Sequence, residues 1–158
     1  MPATGTKKKA AFSRAGVIWW TLVLLYIAGI VIAAVRPEFS GAATTRLIQK
    51  LFPSFPLPLV ESLAYLIRKA IHFLGYAVFA VFLFNAMLST ITRPLTRGKR
   101  AQAMIYAVVL ALMGAVLDET LQMHFPARSG RLQDVAIDLM GIIAGVTARS
   151  RLSRRNLT

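Results

Sequence analysis

Four stretches of this chain run almost free of charge, and the polar residues between them fall in clusters. Residues 17–35 carry no charge and have Thr21 as their one aliphatic hydroxyl. At 1.5 Å per residue a run of that length crosses a hydrocarbon core of roughly 30 Å as a helix. The second run, 70–88, holds only His72 and Asn85 as strongly polar groups, and the third, 101–117, leads straight into Asp118 and Glu119. The fourth, 135–148, is short and contains Asp138. Acids at the ends of short apolar segments belong inside protein or at an interface rather than against lipid. The pattern predicts an all-α membrane protein, a four-transmembrane-helix bundle. A cleavable signal peptide would also begin with Lys7, Lys8 and Lys9 and end at Ala33-Ala34-Val35. The first apolar run is longer than a usual signal core, however, and Arg36-Pro37 is a poor start for a mature domain, so retention of the helix is expected.

The segment between the first two runs has its own pattern. Leu47, Ile48, Leu51 and Phe52 recur at helical spacing opposite Arg46, Gln49 and Lys50, which predicts a short interfacial helix in the first outer loop. Pro53, Pro56 and Pro58 then break the chain. Pro58 suits the first turn of a new helix, so the second long helix is expected to start near Leu59, well before its apolar run.

Charge placement orients the bundle. Twelve of the 19 basic residues lie in three segments that contain no acid: Lys7 to Lys9 with Arg14, the 93–100 loop, and Arg149, Arg151, Arg154 and Arg155. All six acids fall in the other connections or at helix ends beside them. The positive-inside rule then places both termini in the cytoplasm, N-in and C-in. The expected organisation is a basic cytoplasmic tail over 1–16, a transmembrane domain over 17–148 and a second basic tail over 149–158. Sidedness of this kind also explains the net charge of +13 without nucleic acid, for which no recognition module is present. Apolar residues make up 56% and charged residues 16% of the chain, and mean hydropathy is +0.61, so the lipid bilayer is the expected surrounding. Absence of cysteine excludes disulfides, thiolate metal sites and cysteine nucleophiles.

The candidate chemistry gathers at one end of three helices. Arg68, Lys69, His72 and Tyr76 are spaced three and four apart and share one sector of the second long helix. Asp118 and Glu119 stand four and three residues before Gln122. Asp134, Asp138, Gly141 and Gly145 form one stripe on the last helix, polar above and glycine below, and the glycines admit a close neighbour, in the same chain or in an oligomer. An isolated charge near the bilayer costs at least ~2.5–3.5 kcal/mol on insertion scales, so these groups should be paired. They form either an ion-pair clamp on the helix ends or a binding or catalytic site. Glu61, His124 and Arg131 read as solvated or interfacial groups.

The run from Asp118 to Gly130 (DETLQMHFPARSG), followed by Asp134-Val135, Asp138, Gly141 and Gly145, resembles the signature of the VanZ-like family, D-E-x-x-Q-x-x-x-P-G-R then D-V-x-x-N/D-x-x-G. The run from Arg68 to Tyr76 (RKAIHFLGY) is similar to that family's R-K-x-x-H-F-x-E-Y block. Leu121, Gly75 and Ala127 stand where histidine, glutamate and glycine are frequent. The resemblance implies a bacterial cell-membrane, multi-pass protein of the cell envelope, related to proteins associated with teicoplanin and thus antibiotic resistance. It brings no settled activity with it.

Together these readings give a protein that binds or modifies a polar, anionic envelope component on the extracytoplasmic side: a cell-wall precursor, a lipid headgroup or a glycopeptide. Arg68, Lys69, Asp118, Gln122, Arg128, Asp134 and Asp138 are the expected ligand-binding residues. Glu119 and His72 are the candidates for proton transfer. Arg128 is expected to couple to Asp134 across the short turn between the last two helices. No cofactor is expected, and no metal, because four nearby cations would neutralise the acids around His72. The alternative is a structural or partner-binding protein, or a transporter subunit, whose charged cluster only pins helices.

Overall fold

The computed structural model of the chain describes residues 13–91, 95–125 and 131–155. Among these residues the structure is helical throughout. Helix α1 (Arg14–Val35) is followed by a single 3-10 turn at Pro37–Phe39 and by α2 (Gly41–Leu51), then by α3 (Leu57–Thr90), α4 (Arg97–Met123) and α5 (Leu132–Arg155). Local chemistry sets the starts. Ser13, Ser40 and Thr96 accept hydrogen bonds from the backbone amides of Gly16, Ala43 and Lys99 at 3.1–3.2 Å, capping α1, α2 and α4. Proline at the head of α3 occupies a turn whose amides lack intrahelical partners anyway.

Helix α3 is the centre of the bundle and packs against each of the other four helices. Paired contacts give the directions. Lys69 meets Asp134 and Asn85 meets Arg149, so α3 and α5 run parallel. Tyr76 meets Asp118 on α4, which returns antiparallel, and Trp20 bonds Thr90 while Tyr26 stacks on Phe79, so α1 is antiparallel to α3 as well. Helix α4 turns Ala103, Ala107, Ala111 and Ala115, all fully buried, toward its neighbours around Phe79, Leu83 and Phe84. Small side chains at steps of four let backbones come close without a lipid-excluding core of large residues.

The glycine stripe of α5 works the same way. A Cβ on Gly141 would lie 3.0 Å from the Phe73 carbonyl carbon, and one on Gly145 would lie 2.8 Å from that of Ala77. The close neighbour is therefore α3 of the same chain. The expected use of Gly141 and Gly145 in an oligomer is corrected by this finding, since α3 already fills that face.

Among the described residues, α1, α3 and α4 are long and apolar enough to cross a membrane. Their outward side chains, such as Leu24, Leu66, Leu74, Ile105 and Leu117, are more than half exposed and suit lipid. Helix α5 is not in that group: Asp134 and Asp138 at one end and the arginines from 149 onward leave a short apolar middle. It continues through Arg155, so residues expected as a basic tail extend the helix.

Candidate functional site

Three helix ends converge. The start of α3's apolar stretch supplies Lys69, His72 and Tyr76, the end of α4 supplies Asp118, Glu119 and Gln122, and the first turns of α5 supply Asp134 and Asp138. Each set sits on one helix face because its members are three or four residues apart. Lys69 forms an ion pair with Asp134, and its ammonium lies 4.9 Å over the Tyr65 ring. His72 Nδ1 is 3.1 Å from Asp138 Oδ1 and 3.8 Å from Glu119 Oε1. Glu119 Oε2 accepts the backbone amide of Arg131 at 2.7 Å. The Tyr76 hydroxyl donates to Asp118 Oδ2 at 3.3 Å and lies 3.4 Å from the carbonyl of Gly114.

These groups are deeply placed. Glu119 is 1% and Asp138 0% exposed, and Asp118, Gln122 and Asp134 are buried too. Satisfaction is incomplete: Glu119 Oε1, Asp138 Oδ2 and Gln122 Oε1 have no hydrogen-bond partner among the described residues. A buried acceptor without a donor is costly, so native proteins keep few of them.

The structure thus brings together Lys69, His72, Asp118, Glu119, Gln122, Asp134 and Asp138. Arg68 points elsewhere, toward α2, where its guanidinium lies so close to Gly41 that a Cβ there would come within 2.7 Å of Nη1. Arg128, and with it the expected Arg128–Asp134 coupling, lies outside the described residues; the partner seen for Asp134 is Lys69. Glu61, His124 and Arg131 are exposed, as expected.

Beside the cluster is a cavity of about 730 Å³ between α1, α2, α3 and the end of α4. Its walls are apolar, with Leu25, Ile30, Ala33, Leu47, Ile67 and Ile71, while Glu38, Thr44, Arg68, His72, Tyr76, Asp118 and Gln122 form polar points. Volumes of this order suit small organic ligands. Glu119 and Asp138 lie behind His72, outside the lining. Sequence reasoning missed Tyr26, which lines the cavity from α1 and stacks on Phe79 at 5.2 Å between ring centres. A Cβ on Gly75 would lie 2.9 Å from the Tyr26 hydroxyl oxygen. A glycine where the resembling block has glutamate was the one available signal: the space left there receives a hydroxyl from another helix.

Comparison with curated proteins and with solved structures returns no match. The family comparison is decisive on its own, because the VanZ/LLP1 profile matches residues 17–152, from the first apolar run through almost all of α5. With three helices fit to cross a bilayer and both polar blocks meeting at one site, this chain is a membrane protein that belongs to the VanZ/LLP1 family.

Proposed function

We propose that this VanZ-like protein of the cell membrane takes an amphiphilic, anionic envelope component at its extracytoplasmic face, with the apolar part in the cleft and the polar part at the helix ends. The cavity carries this reading, because its lining passes from aliphatic walls to Arg68, His72, Tyr76, Asp118 and Gln122. Arg68 is the anion-binding group, beside the N-terminal turn of α2, where the helix dipole adds to its charge. His72 and Glu119 are the groups for proton transfer if the ligand is modified. Helix α5 is the fourth span in this reading: it accompanies α3 from the level of Lys69 to that of Asn85, about 24 Å at helical rise. Charge sidedness then puts the cluster outside and both termini inside.

The test is native mass spectrometry of the protein released from bilayers that mix anionic phosphatidylglycerol with phosphatidylcholine. Enrichment of the anionic lipid on the wild type, lost in Arg68→Ala and in the cavity-filling Ala33→Trp, supports the reading. Bound lipid that mirrors the bulk mixture in all three proteins refutes it. Orientation is tested separately with single cysteines at Ser54 and Thr96, since the chain has none of its own. An impermeant thiol reagent should label only Ser54→Cys in intact cells; labelling of Thr96→Cys alone would reverse the topology.

The helix-pinning reading has the cross-helix contacts in its favour: Lys69–Asp134 and His72–Asp138 across the α3–α5 seam and Tyr76–Asp118 between α3 and α4. It leaves the unpartnered oxygens of Glu119, Gln122 and Asp138 unexplained.

A further inference from the structure

We propose that His72, Glu119 and Asp138 form a binding site for a divalent transition-metal ion, zinc or manganese, at the inner end of the cleft. One ligand atom from each residue lies within 4.8 Å of the others. The two separations from His72 Nδ1, 3.1 Å to Asp138 and 3.8 Å to Glu119, bracket the edge of about 3.3 Å that a tetrahedron with bonds of ~2.0 Å requires. Closing the site draws the two carboxylates, which lie within 4.8 Å of each other, toward His72.

Independent support comes from the carboxylates themselves. Glu119 and Asp138 are almost completely buried, and each keeps one oxygen without a hydrogen-bond partner among the described residues. Glu119 Oε1 is both the unpartnered atom and the one aimed at His72. Two neighbouring acids in a membrane-spanning bundle need positive charge, and among the described residues Lys69 is paired with Asp134.

One imidazole nitrogen with two carboxylates is a donor set for borderline ions such as zinc and manganese, and it is too hard for copper(I). Three protein ligands leave a fourth position open. His72 also lines the cavity, so it joins the wall of the space assigned to the ligand to the ion held behind it. This inference rests on the proposed function and deepens it by placing a metal ion against the polar end of the cleft, where its charge favours an anionic group.

The experiment uses full-length, tag-free protein in detergent, stripped with chelator and then passed through a desalting column after exposure to Mn²⁺ or Zn²⁺. Elemental analysis should give a metal-to-chain ratio near one. Pulsed electron paramagnetic resonance on the Mn²⁺ form should show coupling to a histidine nitrogen. The chain has two histidines, and His124 is exposed and outside the cluster, so His124→Gln supplies a background in which His72 is the sole source of that coupling. Glu119→Gln and Asp138→Asn should each weaken metal binding about tenfold or more. A ratio near zero, or a ratio near one without nitrogen coupling in the His124→Gln protein, overturns the site. The coupling measurement decides the matter even where the carboxylate variants fail to fold. Anionic-lipid enrichment that persists in chelator-stripped protein, alongside failed metal binding, would reject the metal and leave the proposed function standing.

Discussion

At the end of the bundle where α1 begins and α5 finishes, the buried Asn85 and Arg100 are matched. Arg149 Nε donates to Asn85 Oδ1 at 3.0 Å and Arg100 Nη2 to Ser153 Oγ at 3.1 Å, while at the surface Trp20 Nε1 donates to Thr90 Oγ1 at 3.1 Å. Asn85 also gives its amide nitrogen to the Val81 carbonyl at 2.8 Å. At the opposite end the buried polar groups are mostly carboxylates, and three of the four unpartnered buried side-chain atoms among the described residues are found there. Both ends join the same helices, so the need to hold α3, α4 and α5 together does not explain the contrast. Neutral acceptors met by cationic donors are enough to fasten helices. Each unpartnered buried oxygen costs about 1–3 kcal/mol, a cost that fastening helices does not require. The proposed function accounts for the contrast: the carboxylate end binds and the opposite end fastens, although Lys69–Asp134, His72–Asp138 and Tyr76–Asp118 also join helices within the carboxylate end.

The largest effect should come from the seam that connects the two ends. Gly145→Val places side-chain carbons against the Ala77 backbone, which cannot move aside as a flexible side chain would. A loss of about 3 kcal/mol, the upper end for overpacking, is expected. Unfolding in detergent should show it, together with loss of metal and lipid binding, because both ends are pushed apart.

Next in size is the clamp. Lys69→Ala leaves the Asp134 charge buried, at a cost of about 2 kcal/mol, reduced from the fully buried case because the Lys69 side chain retains 17% exposure. Adding Asp134→Ala should restore part of that stability, so the double variant loses less than the sum of the singles. Additive losses would show that the pair does not fasten the seam.

A smaller effect belongs to the matched end. Asn85→Ala removes the acceptor of Arg149 and should cost about 1 kcal/mol, with binding at the other end unchanged. Loss of anionic-lipid enrichment in this variant would mean that the ends are coupled and the division is wrong.

Much of this arrangement was legible in the sequence, and the parts that were not have identifiable causes. Helix α2 was readable from Leu47, Ile48, Leu51 and Phe52, and the early start of α3 from Pro58, because both signals are local. The meeting of the polar faces of α3, α4 and α5 followed from steps of three and four along each helix. Which residue meets which did not follow. Lys69 and Asp134 are 65 positions apart, and spacing within a helix says nothing about its rotation against another. The glycine stripe predicted a close neighbour without naming α3. Tyr26 was hidden because its run reads as lipid-facing, and only the packing of α1 turns that hydroxyl toward Gly75. The extension of α5 to Arg155 was missed for a similar reason: Arg149 and Ser153 read as solvated tail until Asn85 and Arg100 are seen beside them.

The central claim, that the carboxylate end is kept for binding and the opposite end for stability, is tested most directly by the double variant Glu119→Gln/Asp138→Asn. Both changes keep shape and much of the hydrogen-bonding capacity while removing the charge from two carboxylates that each keep one unpartnered oxygen. Equilibrium unfolding of the metal-free protein in detergent should show stability within about 0.5 kcal/mol of the parent or above it, as expected where a site is maintained against stability. A loss of about 2 kcal/mol or more, matching that of Lys69→Ala, would mean that these carboxylates hold the fold together, and the account would be contradicted.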